Sequence, residues 1–352
     1  MEEEQHSLPK IMVIGVGGSG CSTVQRLNAL GVNGAYGLVA VNTDKQELSI
    51  IDESLIKVLI GKSITQGMGT KGAVDKGAKS AENSRNALEK IVEGSSLIFL
   101  TTGMGGGTGT GAASIIADVA KQSGAVVCSI VTYPFDLERS RVLKAEDGIV
   151  ELSEKSDSVI VINNNRLVEI VPGLAVNDAF KVVDELVAKT IKGVIETISQ
   201  PSLINLSFTD LKAALSNKGV GLMAFGEASG VSDRVGEIVQ DLLAHTFLDV
   251  EVSEAKGLLV QVTGGSDLTI AEAKAIGELL SQRISPEASV AWSARIDPEF
   301  ENKVEAIALF AGVSSPFRAG RFEKESGRNS VGVNKYSIRG MDGKLKKGII
   351  EV

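Results

Sequence analysis

Reactive and aromatic side chains are scarce in this sequence of 352 residues, which contains two cysteines and two histidines. Cys21 and Cys128 lie too far apart in the chain to indicate a disulfide framework or a metal-ligand spacing. Two free thiols suit a reduced, cytoplasmic compartment. Aromatic residues make up 4% of the chain, so it has little material for stacking on single-stranded nucleic acid.

An excess of basic charge is also missing. The chain has 36 Lys and Arg against 44 Asp and Glu, a net charge of −8, which lacks the basic footprint of nucleic-acid-binding proteins. It contains no run of about 18 uncharged apolar residues, and its acidic start at 1–5 does not resemble a secretory signal. We therefore expect a protein that neither binds nucleic acid nor inserts into a membrane.

Glycine, by contrast, is abundant, with 39 copies. Many of them fall into three segments that follow predicted strands. Glycine leaves the backbone N–H groups uncovered, and a helix that begins after such a loop adds the positive end of its dipole, so these segments predict phosphate binding. The third segment contains threonine hydroxyls but no Lys or Arg, so backbone dipoles and Mg²⁺ would have to offset the phosphate charge. The segments are 15–20, 67–72 and 103–111.

Two further interpretations of the glycine loops must be weighed. The segment 15–20 satisfies G-x-G-x-x-G, and Asp44 lies near the position of a ribose-binding acid, as in a dinucleotide oxidoreductase. Only two histidines are available for such chemistry, and His245 ends an apolar helix, where a capping or partly buried structural role is expected. Gly61-Lys62-Ser63 matches the end of a Walker motif, but Ile56 stands where that motif requires glycine, so we do not interpret it as a phosphate loop.

The order of the predicted elements indicates the fold class. In the first half, apolar runs that predict buried strands alternate with helical patterns, as in an α/β protein with a mostly parallel, Rossmann-like sheet. One helix is predicted over 74–92, and a long apolar stripe from Ala175 to about Ser199 predicts a further helix. The pattern beyond it is typical of a smaller α+β domain. The predicted units are a leader (1–10), a nucleotide-binding domain (11–174), a central connecting helix (175–200), the α+β domain (201–317) and a flexible tail (318–352).

The segment Gly105–Gly111, GGGTGTG, carries a family resemblance. It resembles the signature of the tubulin/FtsZ superfamily, and the similarity extends from about Lys10 to Phe317 and favours the prokaryotic, archaeal FtsZ branch over tubulin. The resemblance implies the tubulin/FtsZ fold and a GTP-binding, filament-forming cytoskeletal protein of cell division that acts at the division site. Supporting segments are 41–44, 67–72, 132–138, 179–184, 203–205 and 216–219.

The same resemblance implies where GTP or GDP binds. Guanine would lie against Phe180, with Asn164 and Asp184 at its edge, and the ribose near Glu138 and Arg141. A carboxylate at Asp184 also makes physical sense, since it can accept from the ring N–H and the exocyclic amine of guanine, a donor pair that adenine lacks. Mg²⁺ would be bound mainly through the phosphates, with no metal site of the protein's own. The phosphate-side residues are Gly17, Gly18, Ser19, Gly20, Cys21, Ser22, Asp44, Gly69, Thr70, Lys71, Gly72, Gly105, Gly106, Gly107, Thr108, Gly109 and Thr110.

The sequence departs from the family at the loop that is expected to carry catalysis. Such proteins have N-x-D-x-x-D there, and the resemblance implies that the loop enters the next subunit's nucleotide site. In this chain Asn205 and Asp210 remain, but Ser207 replaces the first acid. A hydroxyl is not a general base at neutral pH, and Ser207 could equally cap the following helix with Asp210 as its partner. We therefore expect a GTPase with slow turnover, or alternatively a GTP-binding regulator or scaffold with little hydrolysis.

Two smaller departures from the family pattern concern residues expected to contact the nucleotide. Ser22 stands where the family commonly has Asn, and Val142 stands where a basic residue is common, with Arg139 and Arg141 beside it.

The tail ends in the apolar segment Gly348–Val352. This segment is either a docking peptide, for example for a membrane adaptor, or a part of the chain's own domain.

Overall fold

The computed structural model describes residues 9–170, 173, 175–199, 203–217, 219–230, 233–317 and 348–352. The first half forms the predicted parallel sheet, whose strands are rich in β-branched residues and largely buried, as strands covered on both faces should be. Its order is β3-β2-β1-β4-β5-β6, with all neighbours parallel. These strands are β1 (Ile11–Val16), β2 (Ala35–Asn42), β3 (Ile56–Leu59), β4 (Leu97–Gly103), β5 (Val126–Tyr133) and β6 (Ser158–Asn163).

Helices connect these strands, with one difference from the sequence prediction. The single helix predicted over 74–92 is two helices that meet at Ser84, whose backbone (φ −99°, ψ 7°) leaves the helical range. The Ser84 hydroxyl there accepts a hydrogen bond from the Gly61 N–H at 3.2 Å. The helices of this half are α1 (Gly17–Ala29), α2 (Lys45–Ser49), α3 (Lys62–Thr65), α4 (Val74–Asn83), α5 (Arg85–Val92), α6 (Thr108–Gln122), α7 (Arg139–Lys155) and α8 (Asn164–Ile170).

The long central helix is present as α9 (Val176–Ser199). Val183, Val187, Ile191 and Val194 are buried along one side of it, as the apolar stripe predicts. At 24 residues it is about 36 Å long, so its two ends serve different parts of the molecule.

The second half is the predicted α+β arrangement, in which β10 is antiparallel to β7 and β8, and β8 is parallel to β9. The first half and the second half nevertheless share one sheet, because β6 pairs in parallel with β7. The long helix is therefore not the only link between them. The elements are α10 (Phe208–Leu215), β7 (Val220–Ser229), α11 (Arg234–Ala244), β8 (Gly257–Gly264), α12 (Ile270–Ser281), β9 (Ser289–Ile296) and β10 (Lys303–Val313).

The end of the chain differs from the predicted flexible tail. Ile349–Glu351 forms a strand, β11, that pairs in parallel with β3 at the outer edge of the sheet. Residues 318–347, and residues 1–8 of the predicted leader, lie outside the described residues. The prediction of a flexible tail is therefore wrong for its last residues, which pack on the chain's own amino-terminal half.

Within the described ranges, no helix combines the length and the apolar character that crossing a membrane requires. His245 occupies the C-cap of α11, and its Nδ1 lies 2.8 Å from a carboxylate oxygen of Asp241 one turn earlier. The structure thus places His245 at the end of the helix in a structural role, as the sequence predicts.

Candidate functional site

Two adjoining cavities lie at the carboxyl ends of the parallel strands, where α/β sheets bind their ligands. The glycine-lined cavity has a volume of about 460 Å³, and the Phe180 cavity beside it has about 270 Å³. Both are lined by Ser19, Gly103 and Arg141, so they form one continuous groove. The glycine-lined cavity collects all three glycine segments of the sequence. Its lining is Val16, Gly17, Gly18, Ser19, Asn42, Asp44, Glu47, Met68, Gly69, Thr70, Lys71, Gly103, Gly106, Gly107, Thr108, Gly109 and Arg141.

The glycines of the third loop meet two different requirements, close packing against neighbouring residues and open space in the cavity. A Cβ at Gly107 would lie 2.1 Å from the Thr70 Oγ1, and a Cβ at Gly109 would lie 2.3 Å from the Thr102 Oγ1. These two allow the loops to pack together. At Gly106, by contrast, a Cβ would meet no atom within 4 Å, because this backbone faces the open cavity. Gly106 therefore leaves room for a ligand rather than for the protein.

Threonine hydroxyls join the loops below the cavity. The Thr108 Oγ1 lies 2.7 Å from the Thr43 Oγ1 and 3.4 Å from the Thr70 Oγ1, so one residue of the third loop touches both neighbouring segments. The Thr110 Oγ1 accepts a hydrogen bond from the Gly105 N–H at 2.9 Å and holds the loop's sharp turn, where Gly105 has φ +90°. The backbone that faces the cavity is thus fixed before any ligand arrives.

Two carboxylates stand at one side of the glycine-lined cavity. Asp44 caps α2, since its Oδ1 accepts from the N–H groups of Gln46 at 2.9 Å and Glu47 at 3.3 Å. Glu47 accepts from the Asn42 Nδ2 at 2.6 Å and reaches over the first glycine loop, where a Cβ at Gly18 would lie 3.2 Å from its Oε2. The cavity therefore offers both uncovered backbone and negative charge.

The Phe180 cavity combines an aromatic face with polar edges. Phe180 is 39% exposed, and its ring centroid lies 5.7 Å from that of Phe135. Asp184, one turn further along α9, accepts from the Thr23 Oγ1 at 2.7 Å, and burial raises the pKa of its carboxyl. The Oδ1 of Asn164 is buried and has no hydrogen-bond partner within the described residues. A flat ligand with polar edges fits these surroundings.

Arg141 supplies the basic group at the junction of the two cavities. Its Nη1 lies 2.5 Å from the Glu138 Oε2, and Glu138 also accepts from the Phe135 N–H at 3.3 Å. Val142, at the position where relatives are expected to be basic, packs against the core instead. Of the two arginines that precede Val142, Arg139 and Arg141, the structure brings Arg141 to the groove.

Most of the residues predicted to contact the nucleotide line this groove. Those in the Phe180 cavity include Ser22, Glu138, Asn164, Phe180 and Asp184. Some predicted residues instead lie behind it. The Cys21 thiol is buried in the core, and burial raises its pKa to about 12. The Gly72 carbonyl accepts from Lys144, and a Cβ at Gly20 would meet the Thr101 carbonyl oxygen at 2.2 Å. The predicted residues that line neither cavity are Gly20, Cys21, Gly72, Gly105 and Thr110.

Sequence reasoning missed several lining residues. Glu47 is the one with clear chemical capacity, and its signal is its place in the first turn after Asp44, on the helix that Asp44 caps. The others adjoin predicted residues along the strands and loops. Outside the segments singled out in the sequence, the missed residue is Glu47; the lining residues within those segments that were not named individually are Val16, Asn42, Met68, Gly103, Met104, Thr132, Pro134 and Val183.

The loop expected to carry catalysis lies away from the groove. Asn205, Ser207 and Asp210 line neither cavity and follow the carboxyl end of α9, whereas Phe180 and Asp184 stand near its amino end. Ser207 caps α10, since its Oγ accepts from the Asp210 N–H at 3.0 Å and donates to the Asp210 Oδ2 at 2.5 Å. This confirms the capping interpretation of Ser207.

Comparison with known proteins decides the family. The model described as "Tubulin/FtsZ family, GTPase domain" matches residues 10–172, and "FtsZ family, C-terminal domain" matches residues 219–314. The chain belongs to the tubulin/FtsZ family. Its amino-terminal half is a GTPase domain, so the protein is a GTP-binding enzyme that converts GTP to GDP and phosphate, and the dinucleotide oxidoreductase is set aside.

Relatives within the family agree over nearly the whole chain. The cell division protein FtsZ 2 of Methanocaldococcus jannaschii is 48% identical over 317 residues, which are 90% of this chain and 83% of that protein. The cell division protein FtsZ 1 of Archaeoglobus fulgidus is 44% identical over 312 residues, 88% of this chain and 84% of the relative. The expected similarity to archaeal FtsZ proteins is thereby confirmed.

Solved structures show the same fold. The structure called "FtsZ dimer, empty" from M. jannaschii superposes with a TM-score of 0.82 at 38% identity, covering 88% of this chain and 89% of that chain. A GTPγS-bound protofilament of CetZ2 from Haloferax volcanii has a TM-score of 0.73 at 19% identity, covering 87% and 93%, which establishes the fold alone. The expected tubulin/FtsZ architecture is confirmed.

Proposed function

We propose that this protein forms GTP-dependent, head-to-tail filaments in cell division and hydrolyses GTP slowly at the contacts between subunits. The observation that carries the proposal is the continuous groove that joins the uncovered backbone of Gly106 to the aromatic and carboxylate edge at Phe180 and Asp184. Its two halves match the triphosphate and the base of one nucleotide. We place the protein in the cytoplasm, at the division site.

Guanine would lie in the Phe180 cavity. The Asp184 carboxylate can accept from the two neighbouring N–H donors of guanine, and Phe180 offers its half-exposed ring to the base. The unpartnered Oδ1 of Asn164 is a further acceptor at the edge of the base, where it would accept from the second N–H of the exocyclic amine. Arg141 and Glu138 stand between base and phosphates, where the ribose would pass.

Mg²⁺ fits the phosphate end of the groove. The part of the chain that the structure describes contains no group of three His, Cys, Asp or Glu side chains able to hold a metal ion. Mg²⁺ prefers one or two carboxylates together with substrate phosphates, and Asp44 and Glu47 can provide the former. Once bound, the ion would neutralise charge on the β- and γ-phosphates, while Asp44 and Glu47 orient it.

Catalysis would require a second subunit. Asp210 lies beyond the far end of an α9 helix about 36 Å long, so it does not reach the groove of its own chain. A second copy stacked head-to-tail brings its Asp210 to that groove, and such heterologous contacts generate open filaments. Solved relatives are described as a dimer and a protofilament. The hydroxyl of Ser207 orients the Asp210 carboxylate, but it supplies no second acid, which predicts slow turnover.

A regulator or scaffold with little hydrolysis is the second candidate, and the serine at position 207 is the observation that favours it. The two are separated by sedimentation with GTP, GDP and GTPγS, with phosphate release measured alongside. We expect pelleting with GTP and GTPγS, no pelleting with GDP, and slow phosphate release that Asp210→Ala nearly abolishes. Pelleting without phosphate release would favour the regulator, and no nucleotide-dependent pelleting would refute the filament proposal.

A further inference from the structure

The carboxyl-terminal strand β11 sits beside the loops that line the glycine-lined cavity. Its backbone pairs with β3 from Ile349 to Glu351, and the Val352 N–H donates to the Leu59 carbonyl at 2.9 Å. Ile349 and Val352 also pack against the two hydrophobic clusters of the core. The strand thus extends the sheet and adds apolar contacts at an edge that would otherwise be open.

Glu351 joins two elements that lead into the groove. Its carboxylate lies 2.5 Å from the Lys45 Nζ and also contacts the Lys62 Nζ. These lysines lower the pKa of Glu351 to about 2, so the carboxylate is charged at physiological pH. Lys45 directly follows Asp44, a cavity-lining residue, and Lys62 opens the short helix α3 that precedes the loop 66–72.

A second contact reaches the same region through the backbone. The Ser84 Oγ donates to the Val352 carbonyl at 3.3 Å and accepts from the Gly61 N–H at 3.2 Å. Gly61 is therefore fixed from the side of β11 at the start of α3. The strand β11 therefore contacts Lys45 and Lys62 directly through Glu351, and it reaches Gly61 through the hydroxyl of Ser84.

These two segments are themselves joined beside the cavity. The Lys45 N–H donates to the Gly67 carbonyl at 2.9 Å, and the Gly69 N–H donates to the Thr43 carbonyl at 3.2 Å. The bridge places Gly69 and Thr70 in the lining of the glycine-lined cavity. A strand that draws Lys45 and Lys62 together therefore favours the arrangement of loops that presents backbone to a phosphate.

The length of the intervening chain suits docking on the same molecule. Phe317 packs against Tyr133 at the end of β5, at a ring-centroid distance of 5.3 Å. From β5 to β11 the sheet order is β5-β4-β1-β2-β3-β11, a lateral distance of about 24 Å at about 4.8 Å per strand. Residues 318–347 separate the two, and a chain of that length can span at most about 100 Å, so the distance of about 24 Å lies within its reach.

We propose that β11 is a detachable edge strand whose docking on β3 and nucleotide binding in the groove strengthen each other. The occupant of the β3 edge is the chain's own segment 348–352, recognised by two apolar side chains and by the Glu351 carboxylate between Lys45 and Lys62. The coupling rests on the proposed GTP site. The coupling is reciprocal: if docking of β11 raises nucleotide affinity by some factor, bound nucleotide raises the equilibrium constant for docking by the same factor.

The test compares the full chain with a deletion of 348–352 and with Glu351→Gln, and uses Glu93→Gln as the matched control on an exposed glutamate outside these contacts. Affinities for GDP and GTPγS are measured by titration calorimetry. We expect the deletion to weaken binding of at least one nucleotide about fivefold. Glu351→Gln should give part of that loss, and Glu93→Gln none. Equal affinities for parent and deletion, within twofold, would overturn the proposal.

Hydrogen exchange supplies a readout that does not depend on activity. In the parent protein, the amides of 349–352 should exchange about fivefold more slowly with saturating GDP or GTPγS than without nucleotide. If one nucleotide slows exchange and the other does not, the strand distinguishes the two states, which supports coupling. Unchanged exchange with both would overturn it, and so would protection that disappears on dilution, since that would mean a strand supplied by a second copy.

A charge-swapped variant guards against a deletion that only damages the fold. Glu351→Lys alone should weaken nucleotide binding as the deletion does, and adding Lys45→Glu with Lys62→Glu should restore part of the loss. Failure of the swap to restore any affinity, in a protein with the parental melting temperature, would count against the ion pairs as the link. If the parent itself binds neither nucleotide, the proposed function fails rather than the coupling.

Discussion

Asp184 shows how one residue can be costly to the fold and useful to the site. Burial raises the pKa of its carboxyl, so the folded protein holds that proton more tightly than the unfolded chain does. The stability this contributes is present at low pH and is lost as the pH rises through the raised pKa. Whenever the carboxyl is ionised it therefore opposes folding, and two N–H donors from a bound guanine would offset that cost.

Replacing Asp184 with Asn should separate these effects. The amide can still accept from Thr23, but the charge is lost, so the nucleotide-free protein should melt at the parental temperature or higher. GTP affinity should fall about ten- to a hundredfold, because a charge-assisted hydrogen bond contributes roughly 1.5–3 kcal/mol. Asp178→Asn, on an exposed part of the same helix, is the control. If calorimetry finds parental GTP affinity in Asp184→Asn, the base binds elsewhere.

Two adjacent glycines should respond differently to the same substitution. Gly107→Ala places a methyl group 2.1 Å from the Thr70 Oγ1 and 2.8 Å from the Ala73 backbone nitrogen, which should destabilise the fold by about 1–3 kcal/mol. Gly106→Ala meets no atom within 4 Å, so its melting temperature should match the parent. Its methyl group would instead occupy ligand space and lower GTP affinity at least about tenfold. Identical melting and binding in the two variants would contradict this assignment.

At the scale of elements, the start of α10 combines a structural and a catalytic requirement. Ser207 meets the structural requirement by capping the helix and orienting Asp210. The catalytic requirement would be met by a second carboxylate at the same position. Aspartate caps helices about as well as serine does. The cap itself therefore does not explain the serine, and nothing else in the described structure requires it.

Replacing Ser207 with aspartate should change turnover alone. Ser207→Asp keeps the cap and adds a carboxylate, so phosphate release should rise while GTP affinity and melting temperature stay parental. Ser207→Ala is the matched control, which loses the cap at about 1 kcal/mol and gains no acid. A Ser207→Asp protein that hydrolyses GTP no faster than the parent, with filaments intact, would show that the missing acid does not limit the rate.

Elements with strong local patterns were predictable, and those that depend on distant contacts were not. The alternation of strands and helices in the first half and the long helix α9 were predictable, because apolar runs and an apolar stripe mark them locally. The break at Ser84 has no glycine or proline to announce it, since it follows from the hydrogen bond with Gly61. β11 escaped prediction because three residues form a strand only where an open edge receives them.

At the scale of the whole molecule, the sequence indicates the residues of the groove better than it indicates how the first and second halves of the chain are joined. The glycine loops could be predicted as phosphate sites because glycine leaves backbone N–H groups uncovered, whereas the role of Asp184 was implied by the family resemblance. Glu47 was missed because its role depends on the direction of a side chain, and Cys21 was misplaced because its neighbours in the loop do face the groove. The pairing of β6 with β7, which joins both halves into one sheet, leaves no local signal.

This architecture separates the nucleotide groove from Asp210 by the length of α9, so hydrolysis should belong to the filament and not to the single chain. The most direct test is phosphate release per subunit across a dilution series that passes through the assembly threshold, with sedimentation at each concentration. The rate per subunit should fall towards zero below the threshold, where GTP still binds. A rate per subunit that stays constant through the threshold would contradict the shared site.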